Sequence, residues 1–165
     1  MKILITGATG LVGRRLVDDR LRRGDAITAL SRSASKARER LPEAVEIVEG
    51  DPTAPGEWQR AVDGQDAIVH LAGAGVADKR WTPSYKRLLF TSRVDSAHQL
   101  VEAVRTAGEP PTVFVGASAV GWYADAGDAV IDESTERNAG DFFGDLCGAW
   151  EGAAAPAREL GVRTV

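Results

Sequence analysis

The sequence is poor in the residues that build disulfides and metal sites. It contains one cysteine, Cys147, and two histidines, His70 and His98. A single cysteine excludes an internal disulfide, and two distant histidines have no recognisable zinc-ligand spacing. We therefore expect no metal site, and a reducing compartment such as the cytoplasm suits the chain.

Long hydrophobic runs and an excess of positive charge are also missing. The opening MKILITGATG has one lysine and a short apolar stretch interrupted by glycines, which is too brief for a secretory signal or a membrane span. The 20 basic and 24 acidic residues give a formal net charge of -4. Because nucleic-acid surfaces need excess cationic side chains, we expect neither a nucleic-acid nor a membrane partner.

What the sequence does contain is a series of short apolar runs rich in β-branched residues. Each run is nearly continuous rather than alternating, which is typical of parallel strands covered on both faces. With 165 residues and 44% hydrophobic content, the chain can form one domain with a sizeable core. The predicted strands are Ile3–Thr6, Ala26–Leu30, Val45–Val48, Ala67–His70 and Thr112–Val115.

Amphipathic helical patterns lie between these strands. The first runs from Val12 to Leu21 and closes at Gly24, and a long one carries apolar residues from Leu88 to Val104. Strand alternating with helix from the first residue onward predicts an α/β fold, with a doubly wound parallel sheet and helices on both faces.

Two connections and the end of the chain break this regular pattern. The segments Ala72–Pro83 and Ser118–Gly140 are too long and too glycine-rich to be plain connectors, so we expect them to carry function at the carboxyl edge of the sheet. The final GVRTV reads as the opening of a sixth strand. We therefore expect residues 1–165 to form one domain at the N-terminus of a longer protein.

The stretch ITGATGLVGRRL places a glycine triplet directly between the first strand and the first helix. Such a loop makes a tight turn, lets a pyrophosphate touch the backbone, and points the free N–H groups of the helix at the anion. Its position in a strand–turn–helix unit favours nucleotide binding over an ordinary loop. The predicted contact residues are Gly7, Thr9, Gly10, Leu11, Val12 and Gly13.

The end of the second strand indicates which dinucleotide binds. An acid at this place would accept hydrogen bonds from a ribose 2'-hydroxyl, but the chain has Ser31 and Arg32. A guanidinium can bind a 2'-phosphate through paired charge-assisted hydrogen bonds, so we predict NADP(H) rather than NAD(H). The alternative, a solvated basic helix start, explains Lys36 and Arg38 but explains Arg32 less well. Arg14, the arginine nearest the loop, could help hold the phosphate.

Two later segments fit the same cofactor. Asp51 follows the third strand and could bond the adenine amino group, or it could be a simple turn aspartate before a proline. After the fourth strand, Leu71, Ala72 and Gly73 would let the nicotinamide ribose approach the backbone. We expect His70 to pack at the strand end rather than act as a base.

Four stretches together, GATGLVG, LSRS, GDP and VHLAG, resemble the extended short-chain dehydrogenase/reductases, the superfamily that includes sugar-nucleotide epimerases and dehydratases. The segments ADKRWTPSYKRLLFTSRVDSA, GASAVGWY and CGAWE are similar to its atypical branch, the NAD(P)-dependent or nucleoside-diphosphate-sugar epimerase-like proteins. The resemblance runs along essentially the whole chain. It implies a Rossmann-type domain that holds NADP(H) on Gly7 to Gly13, Ser31 and Arg32, with a substrate lobe after Val165.

The same resemblance leaves the reaction open. Enzymes of this superfamily use a tyrosine and a lysine one helical turn later, because a phenol with a pKa of about 10 needs a nearby cation to transfer protons efficiently. Counting back from CGAWE, these two positions fall on Phe143 and Cys147, which cannot do that work. Ser118 retains the serine-like position, although it could be a turn hydroxyl. Tyr123 could be a substitute acid or a pocket-wall aromatic.

Two further side chains have competing interpretations. Arg80 and its neighbour Trp81 could form a rim that holds an anionic or planar substrate group, or Trp81 could be a hydrophobic staple beneath the long helix. For Cys147, a buried and inert thiol is expected in preference to a nucleophile.

Three functions therefore stay open. The first is an NADP(H)-dependent oxidoreductase or epimerase-like enzyme acting on a small-molecule carbonyl or sugar-nucleotide substrate. The second, favoured by Phe143 and Cys147, is a cofactor-binding protein with little or no turnover. The third, a purely structural module, leaves Arg32 without a ligand. The long helix could also pair with its copy in a homodimer, as the resemblance implies.

Overall fold

The structure is a computed structural model that describes residues 1–123, 125–136 and 138–165. These residues form a six-stranded parallel sheet with the strand order β3-β2-β1-β4-β5-β6. This order confirms the predicted doubly wound α/β fold. The strands are β1 (Lys2–Thr6), β2 (Ala26–Ser31), β3 (Glu46–Glu49), β4 (Ala67–His70), β5 (Val113–Gly116) and β6 (Arg163–Thr164).

Helices connect the strands and cover both faces of the sheet. The α-helices are α1 (Leu11–Arg22), α2 (Ala34–Arg38), α3 (Pro83–Thr106) and α4 (Phe142–Ala154), and short 3-10 helices span Glu57–Val62, Val120–Trp122 and Ala155–Leu160. Helix α3 begins before its predicted apolar stretch, because Thr82 caps it by accepting the Tyr85 N–H at 3.2 Å. The proline that follows Thr82 suits the first turn of a helix.

The core consists of two layers, one on each face of the sheet. Leu4 of β1 points into the layer formed with α3, whereas its neighbours Ile3 and Ile5 point into the layer formed with α1 and α2. All three side chains are buried. Because both faces are covered in this way, the carboxyl ends of the strands are the part of the sheet left open for a ligand.

The third predicted strand begins one residue later than expected. Val45 is buried, but its N–H bonds the Pro42 carbonyl at 3.1 Å in a turn, and ladder pairing starts at Glu46 opposite Thr28. The apolar character of Val45 therefore reflects core packing and not strand pairing. At the other end of the chain, the expected sixth strand pairs in parallel with β5.

His70 joins three elements in the middle of the fold. Its side chain is fully buried, with Nδ1 2.7 Å from the Thr6 hydroxyl and Nε2 3.1 Å from the Ser96 hydroxyl. The rings of Phe114 and Trp150 contact it edge-on, with centroid distances of 6.3 and 6.2 Å. Burial lowers the pKa of His70 to about 4, so the imidazole is neutral at pH 7. His70 is thus the packed strand-end residue that the sequence predicts.

Across the described ranges, no helix combines the length and apolar character that crossing a membrane requires. Within the same residues, no group of three His, Cys, Asp or Glu side chains lies close enough to hold a metal ion. The one thiol, that of Cys147, is free and buried.

Acidification tests the burial of His70. Its folded pKa of about 4 lies below the ordinary value of 6.5, so protons bind the unfolded chain preferentially as the pH falls through this window. We expect the free energy of unfolding to fall by about 2 kcal/mol between pH 7 and pH 5 because of this one side chain. Urea unfolding at the two pH values measures it.

Two variants separate His70 from other titrating groups. His70→Asn should be less stable at pH 7 but should lose most of the pH dependence, whereas His98→Asn, at an exposed site on α3, should retain it. A His70→Asn protein with an undiminished pH dependence would show that the histidine is not held neutral.

Candidate functional site

The turn after β1 brings three backbone segments into close contact. Gly7 has φ +72°, a conformation that favours glycine, and a Cβ placed there would lie 2.7 Å from the backbone of Leu71. A Cβ on Gly13 would lie 2.3 Å from the Gly7 carbonyl oxygen. The Gly10 N–H closes the turn by donating to that same oxygen at 3.0 Å. Two of the three predicted glycines are therefore required by close packing.

Helix α1 opens directly from this turn without a side-chain cap. Gly10 is its N-cap residue, and the first intrahelical bond runs from the Arg14 N–H to the Gly10 carbonyl at 3.0 Å. The N–H groups of Leu11, Val12 and Gly13 precede this bond, so helix geometry gives them no intrahelical partner. Free N–H groups at the positive end of a helix are suited to bind phosphate oxygens.

A cleft of about 830 Å³ runs along the carboxyl ends of β2, β1 and β4. Of the residues predicted to bind a cofactor, Leu11, Val12, Gly13 and Asp51 lie outside its lining, with Gly13 beneath the turn. The predicted residues that do line the cleft are Gly7, Thr9, Gly10, Ser31, Arg32, Leu71, Ala72 and Gly73. Residues from three separate sequence segments therefore meet at one cleft.

The β2 end of the cleft is positively charged. Arg32, Lys36 and Arg40 line it, together with one carboxylate, Glu39. The sequence explained Lys36 by the alternative of a solvated helix start, and it did not single out Arg40. The spacing of four residues between these two side chains, close to one helical turn, is the signal that could have placed them together. Arg14 instead lies in a shallow hollow on the outer side of α1.

Arg38, the other base in this stretch, has a structural role. Its guanidinium donates to the backbone carbonyls of Pro42, Glu43 and Val45 at 2.9, 3.3 and 2.8 Å. It thereby holds the turn between α2 and β3. A second contact joins the same two elements, because the carboxylate of Glu49 in β3 accepts the Ala34 N–H at the start of α2 at 2.6 Å.

Asp51 adopts the turn geometry that was the alternative to adenine binding. Its Oδ1 accepts both the backbone N–H of Thr53 at 2.9 Å and the Thr53 hydroxyl at 2.8 Å. The Thr53 backbone bond is the main cause that lowers the pKa of Asp51, and the Arg32 charge adds to it. The Asp51 carboxylate is thus engaged in its own turn, and its contact with adenine stays a prediction.

Ser118 and Tyr123 both follow β5, and Ser118 has a partner that sequence reasoning missed. The Ser118 hydroxyl donates to Oε1 of Glu151 on α4 at 2.5 Å. Tyr123 is half-buried and follows the short 3-10 helix, where its N–H bonds the Val120 carbonyl at 3.1 Å. Glu151 is one residue past Trp150, and only the packing of α4 against the segment after β5 brings it to Ser118. The remainder of Ser118–Gly140 includes residues 124 and 137, which lie outside the described residues.

Aromatic side chains form a rim at the starts of α3 and α4. The Trp81 ring lies 5.5 Å from that of Phe142 and 4.9 Å from that of Phe143, measured between centroids. Trp81 keeps 39% of its surface exposed, so it is not buried beneath α3, and a contact between Trp81 and a substrate stays a prediction. Arg80, the predicted substrate contact, is exposed beside it.

Cys147 is 2% exposed, which confirms the expected buried thiol. Burial raises its pKa, and its Sγ lies 3.8 Å from the Ala119 carbonyl oxygen, to which the thiol donates. The sequence shows no cation near Cys147, but the fold brings the charge of Arg93 from α3 close to it. A neutral thiol of this kind is a poor nucleophile.

These features define a Rossmann-type dinucleotide-binding protein. They are the parallel sheet with the order β3-β2-β1-β4-β5-β6, the glycine turn at the N-terminus of α1 and the cleft across the strand ends. Residues 3–141 match the NAD dependent epimerase/dehydratase family, and the chain belongs to that family of extended short-chain dehydrogenase/reductases.

Several known proteins are similar to this chain in sequence, in fold or in both. The chain is 35% identical over 165 residues to the "Epimerase family protein SDR39U1 homolog, chloroplastic" of Arabidopsis thaliana, covering 96% of this chain and 46% of that protein. Human epimerase family protein SDR39U1, solved with NADPH, superposes with a TM-score of 0.77 at 28% identity, over 93% of this chain and 48% of that one. The nucleoside-diphosphate sugar epimerase from Corynebacterium glutamicum superposes with a TM-score of 0.78 at 33% identity. The match covers 99% of this chain and 32% of that one.

The chain spans about half the length of the curated relatives it matches, between 46% and 52% of each of the first three.

The tight turn at Gly13 can be tested by adding one methyl group. Gly13→Ala places a Cβ against the Gly7 carbonyl, and we expect this overpacking to cost about 1–3 kcal/mol of stability and to weaken dinucleotide binding at least about tenfold. Gly152→Ala on α4 is the matched control, because nothing lies within 4 Å of its new methyl group. It should stabilise the protein by about 0.5–1 kcal/mol. Thermal unfolding and nucleotide titration of both variants measure these effects, and equal behaviour of the two would contradict the packing.

Proposed function

We propose that the chain is the NADP(H)-binding part of an epimerase-like oxidoreductase. The observation that carries this proposal is the group of three cations, Arg32, Lys36 and Arg40, that lines the cleft where β2 ends. In dinucleotide folds this end meets the adenosine ribose. Three cations against one carboxylate favour a phosphate on that ribose over a bare hydroxyl, and the NADPH in the human relative supports the same choice.

The residues present fit this cofactor along its whole length. The cradle made by Gly7 and Gly13 has no room for a Cβ, and the uncapped start of α1 offers N–H groups to a pyrophosphate. Ser31 and Arg32 would hold the phosphorylated ribose. Leu71, Ala72 and Gly73 would lie against the nicotinamide half. When bound, the nicotinamide ring would accept or supply a hydride.

Catalysis, on this proposal, depends on groups other than the usual tyrosine and lysine. Those positions fall on Phe143, in the aromatic rim, and on Cys147, which is buried. The exposed Ser118 hydroxyl would orient the substrate oxygen, and Glu151 would take the proton that Ser118 passes on during oxidation and return it during reduction. Tyr123 is a second candidate acid.

We propose a carbonyl compound or sugar nucleotide as substrate, with Arg80 and the rim of Trp81 holding its anionic or planar group. The substrate lobe would come from further chain, and residues 1–165 would be the nucleotide-binding domain. Pairing of two copies through α3 is a separate proposal, which light scattering tests. A cofactor-binding protein with little turnover is the second candidate, and Phe143 and Cys147 are the observations that favour it.

Charge reversal at Arg32 tests the cofactor. Arg32→Asp replaces a phosphate-binding cation with a repelling carboxylate, so NADPH binding should weaken about 100-fold while NADH binding changes by less than about threefold. Arg15→Asp, an equal charge change on the outer side of α1, should leave both unchanged. Calorimetric titration measures the affinities. Tight NADH binding by the unmodified protein would contradict the proposed preference for NADP(H) over NAD(H).

Substitutions at the proposed proton relay test the reaction. With the full-length protein, NADPH and a panel of aldehydes, ketones and nucleotide sugars, Ser118→Ala should lower turnover about 100-fold or more. Glu151→Gln should keep cofactor binding but lower turnover about tenfold or more, because an amide cannot exchange the relayed proton, whereas Glu159→Gln, an exposed control, should leave both unchanged. Tyr123→Phe should matter only if that phenol is the acid.

The same panel separates the candidate functions. NADPH binding without turnover of any substrate would favour the binding protein over the enzyme. Turnover that survives both Ser118→Ala and Glu151→Gln would remove the named relay.

A further inference from the structure

Lys86 on α3 is a half-buried cation that lies over the aromatic rim. Its Nζ is 5.0 Å from the centroid of the Phe142 ring and 5.9 Å from that of Trp81. No carboxylate pairs with it among the residues that the structure describes. Aromatic rings attract an ammonium group but are weak hydrogen-bond acceptors, so the three N–H donors of Lys86 remain available to an anion.

The carboxylate next to the rim in the sequence is already engaged. Asp141 precedes α4, and its Oδ1 accepts the N–H groups of Phe143 and Gly144, both at 2.8 Å. Its other oxygen accepts the side-chain amide of Asn138. Asp141 therefore caps the helix and leaves the charge of Lys86 unbalanced.

The rings of the rim are held in place by their surroundings. Nε1 of Trp81 donates to the Val76 carbonyl at 2.7 Å, which ties the indole to the loop after β4. The Phe142 ring packs against a cluster of buried side chains, those of Tyr85, Leu89 and Leu146. Because these rings are fixed before any ligand arrives, a planar apolar group can stack against them at little cost in conformational entropy.

Helix α4 connects the rim to the proposed proton relay. Phe143, Cys147 and Glu151 follow one another at intervals of four residues, so they lie along one face of the helix. Both ends of this face contact the segment after β5: a Cβ on Gly121 would lie 2.7 Å from the Cβ of Phe143, and Glu151 accepts the Ser118 hydroxyl. Eight residues of helix span about 12 Å. A substrate of about that length, with its carbonyl at Ser118, would reach the rim with its other end.

We propose that the rim binds the anionic end of a planar carbonyl substrate, with a carboxylate on Lys86 and the flat body against Phe142 and Trp81. This inference rests on the proposed function and narrows its two substrate classes to one. A sugar nucleotide presents a diphosphate and many hydroxyl groups, which require several polar partners, whereas the rim supplies rings and one half-buried ammonium group. A carboxylate on a fused ring system fits these groups.

Two ligands of the same shape provide the test. The first, 2-naphthoate, is a planar anion, and 2-naphthamide is its neutral counterpart. Calorimetric titration uses the full-length protein saturated with NADP+. It should show 2-naphthoate binding at least about tenfold more tightly than 2-naphthamide or UDP-glucose.

Variants identify which group holds the anion. Lys86→Met should weaken 2-naphthoate binding about tenfold and leave 2-naphthamide and NADPH within about twofold. Lys86→Arg, which keeps the charge, should bind 2-naphthoate within about threefold of the unmodified protein. Phe142→Leu removes a ring and no charge, so it should weaken both naphthyl ligands about three- to tenfold. Lys2→Met, at the amino end of β1, is the matched control and should change none of these affinities.

Other outcomes overturn the assignment. An unchanged affinity for 2-naphthoate in Lys86→Met would show that this cation meets no ligand, and tighter binding of UDP-glucose than of 2-naphthoate would restore the sugar nucleotide. Competition between 2-naphthoate and NADPH would place the anion in the cofactor cleft. If neither naphthyl ligand binds the full-length protein, the rim is covered by further chain or by a second copy.

Turnover separates failure of this inference from failure of the proposed function. Reduction of 6-formyl-2-naphthoate would place a hydride from NADPH on the formyl carbon and a proton from the relay on its oxygen, which gives the alcohol and NADP+. Its kcat/KM should exceed that of 2-naphthaldehyde at least about tenfold through a lower KM, and Lys86→Met should remove the difference. Equal kcat/KM values in the unmodified protein would overturn this inference alone. If 2-naphthoate binds but neither aldehyde is reduced, the oxidoreductase fails, and the rim is an anion-binding site only.

Discussion

The close approach of Gly7 to the backbone of Leu71 fixes how the ends of β1 and β4 lie relative to each other. Two polar contacts reinforce it, because the Thr6 hydroxyl accepts the Ala72 N–H at 3.2 Å and meets His70 at 2.7 Å. The cleft is consequently walled by backbone along its centre, where a phosphate can reach N–H groups. Any side chain at Gly7 would separate these strand ends and fill the space that a ligand needs.

Positive charge is concentrated at one end of this backbone wall. At the β2 end, Arg32, Lys36 and Arg40 form an exposed positive group. On the proposed function, this group would meet the phosphorylated adenosine ribose, and the glycine turn would meet the pyrophosphate in the middle of the dinucleotide.

Local sequence predicted the parts of this site that depend on one segment. The alternation of strand and helix, the glycine turn and Arg32 follow from spacing and residue type, because each lies within a few residues of a strand end. Glu151 beside Ser118 and Arg93 behind Gly73 join segments that are distant in the sequence. Such contacts depend on how α3 and α4 pack, and a single sequence does not encode that packing in any local pattern. The one-residue shift of β3 has another origin, since Val45 is apolar because it packs in the core and not because it pairs in the sheet.

A crystal structure of the full-length protein soaked with NADP+ tests the central claim most directly. The account predicts electron density for the pyrophosphate on the N–H groups between Gly7 and Gly13, and for the 2'-phosphate within hydrogen-bonding distance of Arg32. A vacant cleft at saturating NADP+, or a 2'-phosphate pointing into solvent away from Arg32, would contradict it.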